Sequence, residues 1–147
     1  MHILITGATG LIGRHLCPEL NKEHQLTVLT RNPANATKLL GENINATDSL
    51  EEVDFNNLDC VINLAGEPIV NKRWSEKQKQ ILRDSRITIT QQISAAINQC
   101  DTPPHTFISG SAVGFYGRQS TTVIDESFVD VTPEFSHQLC HDWEQAA

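Results

Sequence analysis

The chain has 147 residues, 39% of them hydrophobic and 20% charged, enough length to bury one apolar core without disulfides or metals as staples. Its 11 Lys and Arg against 18 Asp and Glu give a formal charge of −7 with His neutral, which excludes the basic footprint of a nucleic-acid binder. The start, MHILITGATG, lacks a basic stretch followed by a long apolar run, and no apolar run approaches the ~20 residues of a membrane span, so no membrane partner and a cytoplasmic location are expected.

In chain order, HILITG is a short apolar run with β-branched residues at alternate positions, which predicts a buried strand ending in Gly. LIGRHLCPELNKE follows as a helix and QLTVLTR as a second strand. NPANATKLLG predicts a short helix opened by Pro and closed by Gly, and a short strand is expected near Asn43 to Ala46. DCVINLAG is a further buried strand. Ser75 to Gln99 predicts one long helix, because SEKQ has the form of a capping box and Ile81, Ile87, Ile93 and Ile97 contribute to an apolar stripe. After Asp101-Thr-Pro-Pro104, HTFISGSAV is another strand, and Phe135 to Ala147 a last helix that reaches the end of the chain without a Gly stop. Cys17, Cys60, Cys100 and Cys140 are far apart with no CxxC pair, and are expected as reduced thiols.

Thr6 to Gly13, TGATGLIG, supplies GxxGxxG between a strand and a helix. One Gly permits the tight turn, another lets backbone N–H groups approach a pyrophosphate, and another allows close helix–strand packing. Gly7, Thr9, Gly10, Leu11, Ile12 and Gly13 are therefore candidate dinucleotide contacts. In such a unit the end of the second strand, ~20 positions after the turn, meets the adenosine ribose, where an acidic residue suits the 2′-OH of NAD. Here LTVLTRN puts Thr30 and Arg31 at that position. A guanidinium offers forked donors and positive charge to a 2′-phosphate, so the expected cofactor is NADP. With strand and helix alternating almost throughout, residues 1–147 are expected to form one NADP-binding α/β domain. Its predicted fold is a Rossmann-type doubly wound parallel sheet with helices on both faces, incomplete at the C-terminus.

TGATGLIGRHL, VLTRNP, VINLAGEPI, KRWSEKQK, DSRITITQQ and ISGSAVGFYG together resemble an atypical short-chain dehydrogenase/reductase of the NAD(P)-dependent epimerase family, of the nucleoside-diphosphate-sugar-epimerase type. Members of that family run to about twice this length. The resemblance thus implies an amino-terminal cofactor-binding portion whose substrate-binding part is absent, inactive by itself. It further implies that Leu64, Ala65 and Gly66 lie along the cofactor and that Arg86 meets it. Ser111 would orient the reacting oxygen of a sugar-like or other small hydroxyl or carbonyl substrate. Lys72, Arg73 and Trp74 stand where loops line the ligand crevice, with a structural role favoured for Trp74.

FSHQLCHDWE, 135–144, departs from the wider pattern. The superfamily places Tyr and Lys at YxxxK, where i,i+4 spacing brings both to one helix face and the ammonium lowers the Tyr pKa. Aligned on WE, those positions hold Ser136 and Cys140; shifted by one, they hold His137 and His141. His137 is the candidate general base. His137 and His141 share a helix face, yet Gln138 stands where a Glu would strengthen a metal motif, so no metal is expected. Two functions follow: an NADP-dependent oxidoreductase or epimerase, or an NADP-binding regulatory or scaffold protein without chemistry. Either is compatible with a homo-oligomer.

Overall fold

The computed structural model describes residues 1–147. Five strands form one sheet: β1 (His2–Thr6), β2 (Gln25–Leu29), β3 (Ile44–Thr47), β4 (Cys60–Asn63) and β5 (Thr106–Ser109). All neighbours run parallel, in the order β3-β2-β1-β4-β5. The chain winds outward from β1 to β3, then returns past it to β4 and β5. The order therefore reverses between β1 and β4, and the carboxyl ends of those two strands flank a crevice. The α/β doubly wound fold expected from the alternation is the fold observed.

The central strands β1, β2 and β4 are buried on both faces, which explains why they are apolar runs rather than alternating ones, whereas at the edge of the sheet β5 leaves Ile108 49% exposed. Ile3, Ile5, Leu26, Val28, Ile44 and Ile62 join one cluster with Cys17 and with Ala36 and Leu40. These last three come from helices α1 (Leu11–Leu20) and α2 (Pro33–Leu40). Leu4 and Val61, one residue out of phase, point to the opposite face and pack with Phe55, Leu58 and Ile93. Short 3₁₀ turns at Leu50–Glu52 and Phe55–Asn57 fill the connection from β3 to β4.

The single helix expected over Ser75 to Gln99 is divided. Helix α3 (Glu76–Arg83) passes into a π turn, Asp84–Thr88, and continues as α4 (Ile89–Asn98). Ser75 caps α3 by accepting from the Gln78 amide at 3.2 Å, but the reciprocal half of the capping box is missing: the Ser75 amide donates to Arg73, and Gln78 Nε2 is buried without a partner. The stretch HTFISGSAV yields only the four residues of β5, followed by a 3₁₀ turn at Val113–Tyr116. Strand β3 lies one residue later than expected, and α1 ends at Leu20 rather than continuing to Glu23. The last helix, α5, covers Phe135–Gln145. All four cysteines are free thiols, Cys17, Cys60 and Cys140 buried. No helix is long and apolar enough to cross a membrane.

Candidate functional site

The glycine-rich turn is shaped by steric demands. Gly7 has φ 67° and lies so close to the Leu64 carbonyl that a Cβ would collide with it. Only Gly satisfies both the left-handed backbone and the approach. Gly10 is the N-cap of α1, with extended backbone and no side chain to cap the helix. The first amides of α1 lack intrahelical acceptors and form an open anion site strengthened by the helix dipole. A Cβ on Gly13 would strike the backbone of Ala8, so this glycine lets α1 pack tightly on the turn.

A crevice of about 1010 Å³ opens over this turn. Gly7, Thr9 and Gly10 line one side, Thr30 and Arg31 the end over β2, and Leu64, Ala65 and Gly66 the strand end of β4. Arg31 is exposed and belongs to none of the ion pairs in the structure, which leaves its guanidinium free for an anion. Leu11 and Ile12 stand outside the crevice wall, 72% and 63% exposed, and Gly13 is buried beneath it.

Sequence reasoning missed several wall residues. Asp48, Ser49, Leu50 and Glu51 close the end beyond Arg31, while Glu67, Ser85, Ile89 and Gln92 form the side toward α4. Asp48 left a readable signal, because it immediately follows β3 and so falls at the same carboxyl edge as Arg31. The α4 side left none, because Ser85, Ile89 and Gln92 are ordinary positions in an amphipathic helical run.

Arg86 projects from the π turn behind the wall rather than into the crevice. Its guanidinium donates to the Glu67 carbonyl at 3.0 Å, lies 5.4 Å over the Trp143 ring, and occupies the space a Cβ on Gly66 would need. Burial pulls its pKa below the ordinary value, opposed by Cys140 and by the Glu67 carboxylate. Trp74 is held structurally: its Nε1 donates to the Ile69 carbonyl at 2.9 Å and its ring meets Phe135 edge-on at 5.3 Å.

Neither Ser111 nor His137 lines the crevice. Ser111 is exposed just past β5 and donates its hydroxyl proton to the Glu144 carboxylate of α5. His137 Nδ1 meets the Phe115 carbonyl at 2.5 Å. A carbonyl only accepts, so Nδ1 carries the proton and Nε2 is the basic nitrogen. Ser136 and Cys140 face the loop after β5, where a Cβ on Gly114 would come within 3.3 Å of Ser136 Cβ and 3.5 Å of Cys140 Sγ. His141 is exposed beside Asp142. Burial raises the Cys140 thiol pKa, as does Glu144, against weaker pulls from the Ala112 backbone and Arg86. The structure groups no three His, Cys, Asp or Glu side chains that could hold a metal ion.

Comparison with known proteins places this geometry. The model of the family described as NAD dependent epimerase/dehydratase matches residues 3–138. An epimerase family protein of Mycobacterium leprae is 40% identical over 149 residues, covering 98% of this chain and 46% of the relative. One from Bacillus subtilis is 33% identical over 151 residues, covering 99% of this chain and 48% of the relative. The chain thus spans about half the length of the curated relatives it matches. Among solved structures, a human epimerase family protein with NADPH superposes with TM-score 0.83 at 31% identity, over 99% of this chain and 48% of that one. A Bacillus cereus UDP-glucuronic acid 4-epimerase shares the fold, with TM-score 0.78 at 24% identity over 99% of this chain and 51% of that one.

Proposed function

The chain belongs to the NAD dependent epimerase/dehydratase family, and from that premise we propose that its crevice binds NADP(H) in preference to NAD(H). The observation that carries this reading is convergence: the uncapped N-terminus of α1 and the wall residues Gly7, Gly10 and Arg31 all meet one crevice. The α1 amides take the pyrophosphate, Arg31 takes the 2′-phosphate, and the backbone of Leu64 to Gly66 lies along the dinucleotide. The similar human protein solved with NADPH supports the phosphorylated cofactor.

A titration of the purified chain tests this. NADPH is expected to bind more tightly than NADH, and Arg31→Ala to remove roughly 10- to 100-fold of that preference, the worth of a charge-assisted contact. An unchanged NADPH/NADH ratio in Arg31→Ala refutes the role of Arg31.

For the whole protein, we infer an oxidoreductase or epimerase acting on a sugar-like or other small hydroxyl or carbonyl compound. The bound cofactor would supply the carbon that gives or takes hydride. Ser111, at the carboxyl edge of the sheet, would orient the reacting oxygen either by accepting from a substrate hydroxyl while its own proton stays on the bond to Glu144, or by turning that proton from Glu144 to a substrate carbonyl. His137 is the further candidate for proton transfer, through Nε2. One observation favours a second reading, an NADP-binding protein without chemistry: residues 135–144 contain neither Tyr nor Lys, whether Ser136 and Cys140 or His137 and His141 take the YxxxK positions. Full-length protein that oxidises NADPH with a carbonyl panel, and loses this in Ser111→Ala, supports the enzyme; tight NADPH binding without turnover supports the alternative.

A further inference from the structure

A buried polar chain joins the crevice wall to α5. Thr6 Oγ accepts from the Ala65 amide at 3.1 Å and donates to Asn63 Oδ1 at 2.6 Å. Asn63 Nδ2 donates to Thr90 Oγ at 2.7 Å, and Thr90 donates to the Arg86 carbonyl at 2.7 Å while accepting from Trp143 Nε1 at 3.1 Å. The Thr90 hydroxyl thereby uses its one proton and both lone pairs. Thr6, Asn63 and Thr90 are 1%, 0% and 0% exposed, so none of these groups has water as a substitute partner.

A second connection runs beside the first. The Arg86 guanidinium lies on the Trp143 ring and holds the Glu67 carbonyl. The same indole packs on Gly110, where a Cβ would come within 3.0 Å of Trp143 Cη2. Trp143 therefore touches the segment just past β5 directly and reaches the end of β4 only through Thr90 and Arg86, without lining the crevice itself.

We propose that Trp143 and Thr90 are positioning residues for the dinucleotide. They act on the Leu64–Glu67 wall through Asn63 and Arg86, so that docking of α5 and cofactor binding are thermodynamically linked. This rests on the crevice being the NADP(H) site. Linkage is reciprocal: if a docked α5 sets the wall that the cofactor meets, then the cofactor must hold α5 more firmly.

Thr90→Val removes the hydroxyl at nearly constant volume and leaves Asn63 Nδ2, Trp143 Nε1 and the Arg86 carbonyl without their shared partner; Thr90→Ser keeps it. Affinity for NADP⁺ is measured by calorimetry at a temperature where each variant is folded, and amide hydrogen exchange is followed in residues 135–145. Wild type and Thr90→Ser are expected to bind alike and to show slower α5 exchange with NADP⁺. Thr90→Val is expected to bind ~10-fold more weakly and to lose that protection. A purely structural role would lower stability while leaving the cofactor-dependent protection in place. Wild-type affinity in Thr90→Val, or protection equal to wild type, overturns the proposal. Should Thr90→Val fail to fold, Trp143→Phe keeps a ring over Arg86 but lacks the N–H; a ~5-fold loss of affinity is expected, and wild-type affinity with wild-type protection overturns it. A wild-type chain that binds no NADP⁺ refutes the cofactor reading itself, a different result from wild-type binding that Thr90→Val leaves untouched.

Discussion

Gly7 and Gly41 both have positive φ, 67° and 99°, but their surroundings differ. A Cβ at Gly41 would meet nothing within 4 Å, whereas at Gly7 it would enter the Leu64 backbone. Gly41→Ala thus carries conformational strain alone, of about 1–3 kcal/mol. Gly7→Ala carries that strain and also forces β1 and β4 apart at the crevice. Urea unfolding should show Gly7→Ala to be clearly the more destabilised, and NADPH titration should show weakened binding in that variant alone. Equal losses in both would mean that the turn has room to yield. The glycine requirement was legible because GxxGxxG is a local pattern, and Arg31 because its distance from the turn is set by one helix and one strand. Thr90 was not legible. It sits 27 residues from Asn63 and 53 from Trp143, and a lone Thr on a helix carries no mark of the partners it will meet.

At the scale of elements, the helical run from Glu76 to Asn98 shows where periodicity stops being informative. The Ser75 cap and the packing of Ile93 and Ile97 were readable, but the expected stripe breaks at Ile81, which is 37% exposed while Leu82 is buried, and the π turn at Asp84–Thr88 was not legible, although this turn carries Arg86. A π turn places one additional residue in the helical path, and such turns recur at functional positions. Helix α5 is fastened to α3 by Phe135, with Lys79 Nζ and Arg83 Cζ each 5.5 Å from its ring centre, and by the Arg83–Asp142 pair at 2.6 Å. For Asp142, burial would raise the carboxyl pKa, but hydrogen bonds from Arg83, Gln138 and His141, together with the Arg83 charge, outweigh it and hold the group below its ordinary range. A carboxyl depressed by folding contributes stability that is complete above its unfolded value of about 3.9 and fades as pH falls through the folded one. Below about pH 5, urea midpoints of the wild type should therefore fall faster than those of Asp142→Asn, and the two should converge in acid. Parallel curves would show that the clamp contributes nothing that titrates.

Across the whole molecule, two apolar clusters on opposite faces of one sheet give the crevice a rigid floor, and a ligand that binds only the folded state must stabilise it. NADPH at 100 times its dissociation constant should add about 2.7 kcal/mol, a rise in melting temperature of roughly 5–10 °C for a domain near this size. NADH at the same concentration should give less. Identical shifts would remove the preference assigned to Arg31, and no shift with either would remove the site.

By itself the sequence determined the elements that depend on neighbours along the chain: the apolar strands, the glycine turn, the basic end of β2 and the alternation that makes a doubly wound parallel sheet. The absence of Tyr and Lys from 135–144 was equally plain in one dimension. Only the tertiary structure decided that Ser136 and Cys140 face the loop after β5, that Arg86 stands behind the crevice wall, and that Thr90 joins β4 to α5. Local propensity and periodicity act over a few residues, whereas a buried hydrogen bond between Asn63 and Thr90 exists only once the core has expelled the water that would otherwise satisfy both groups.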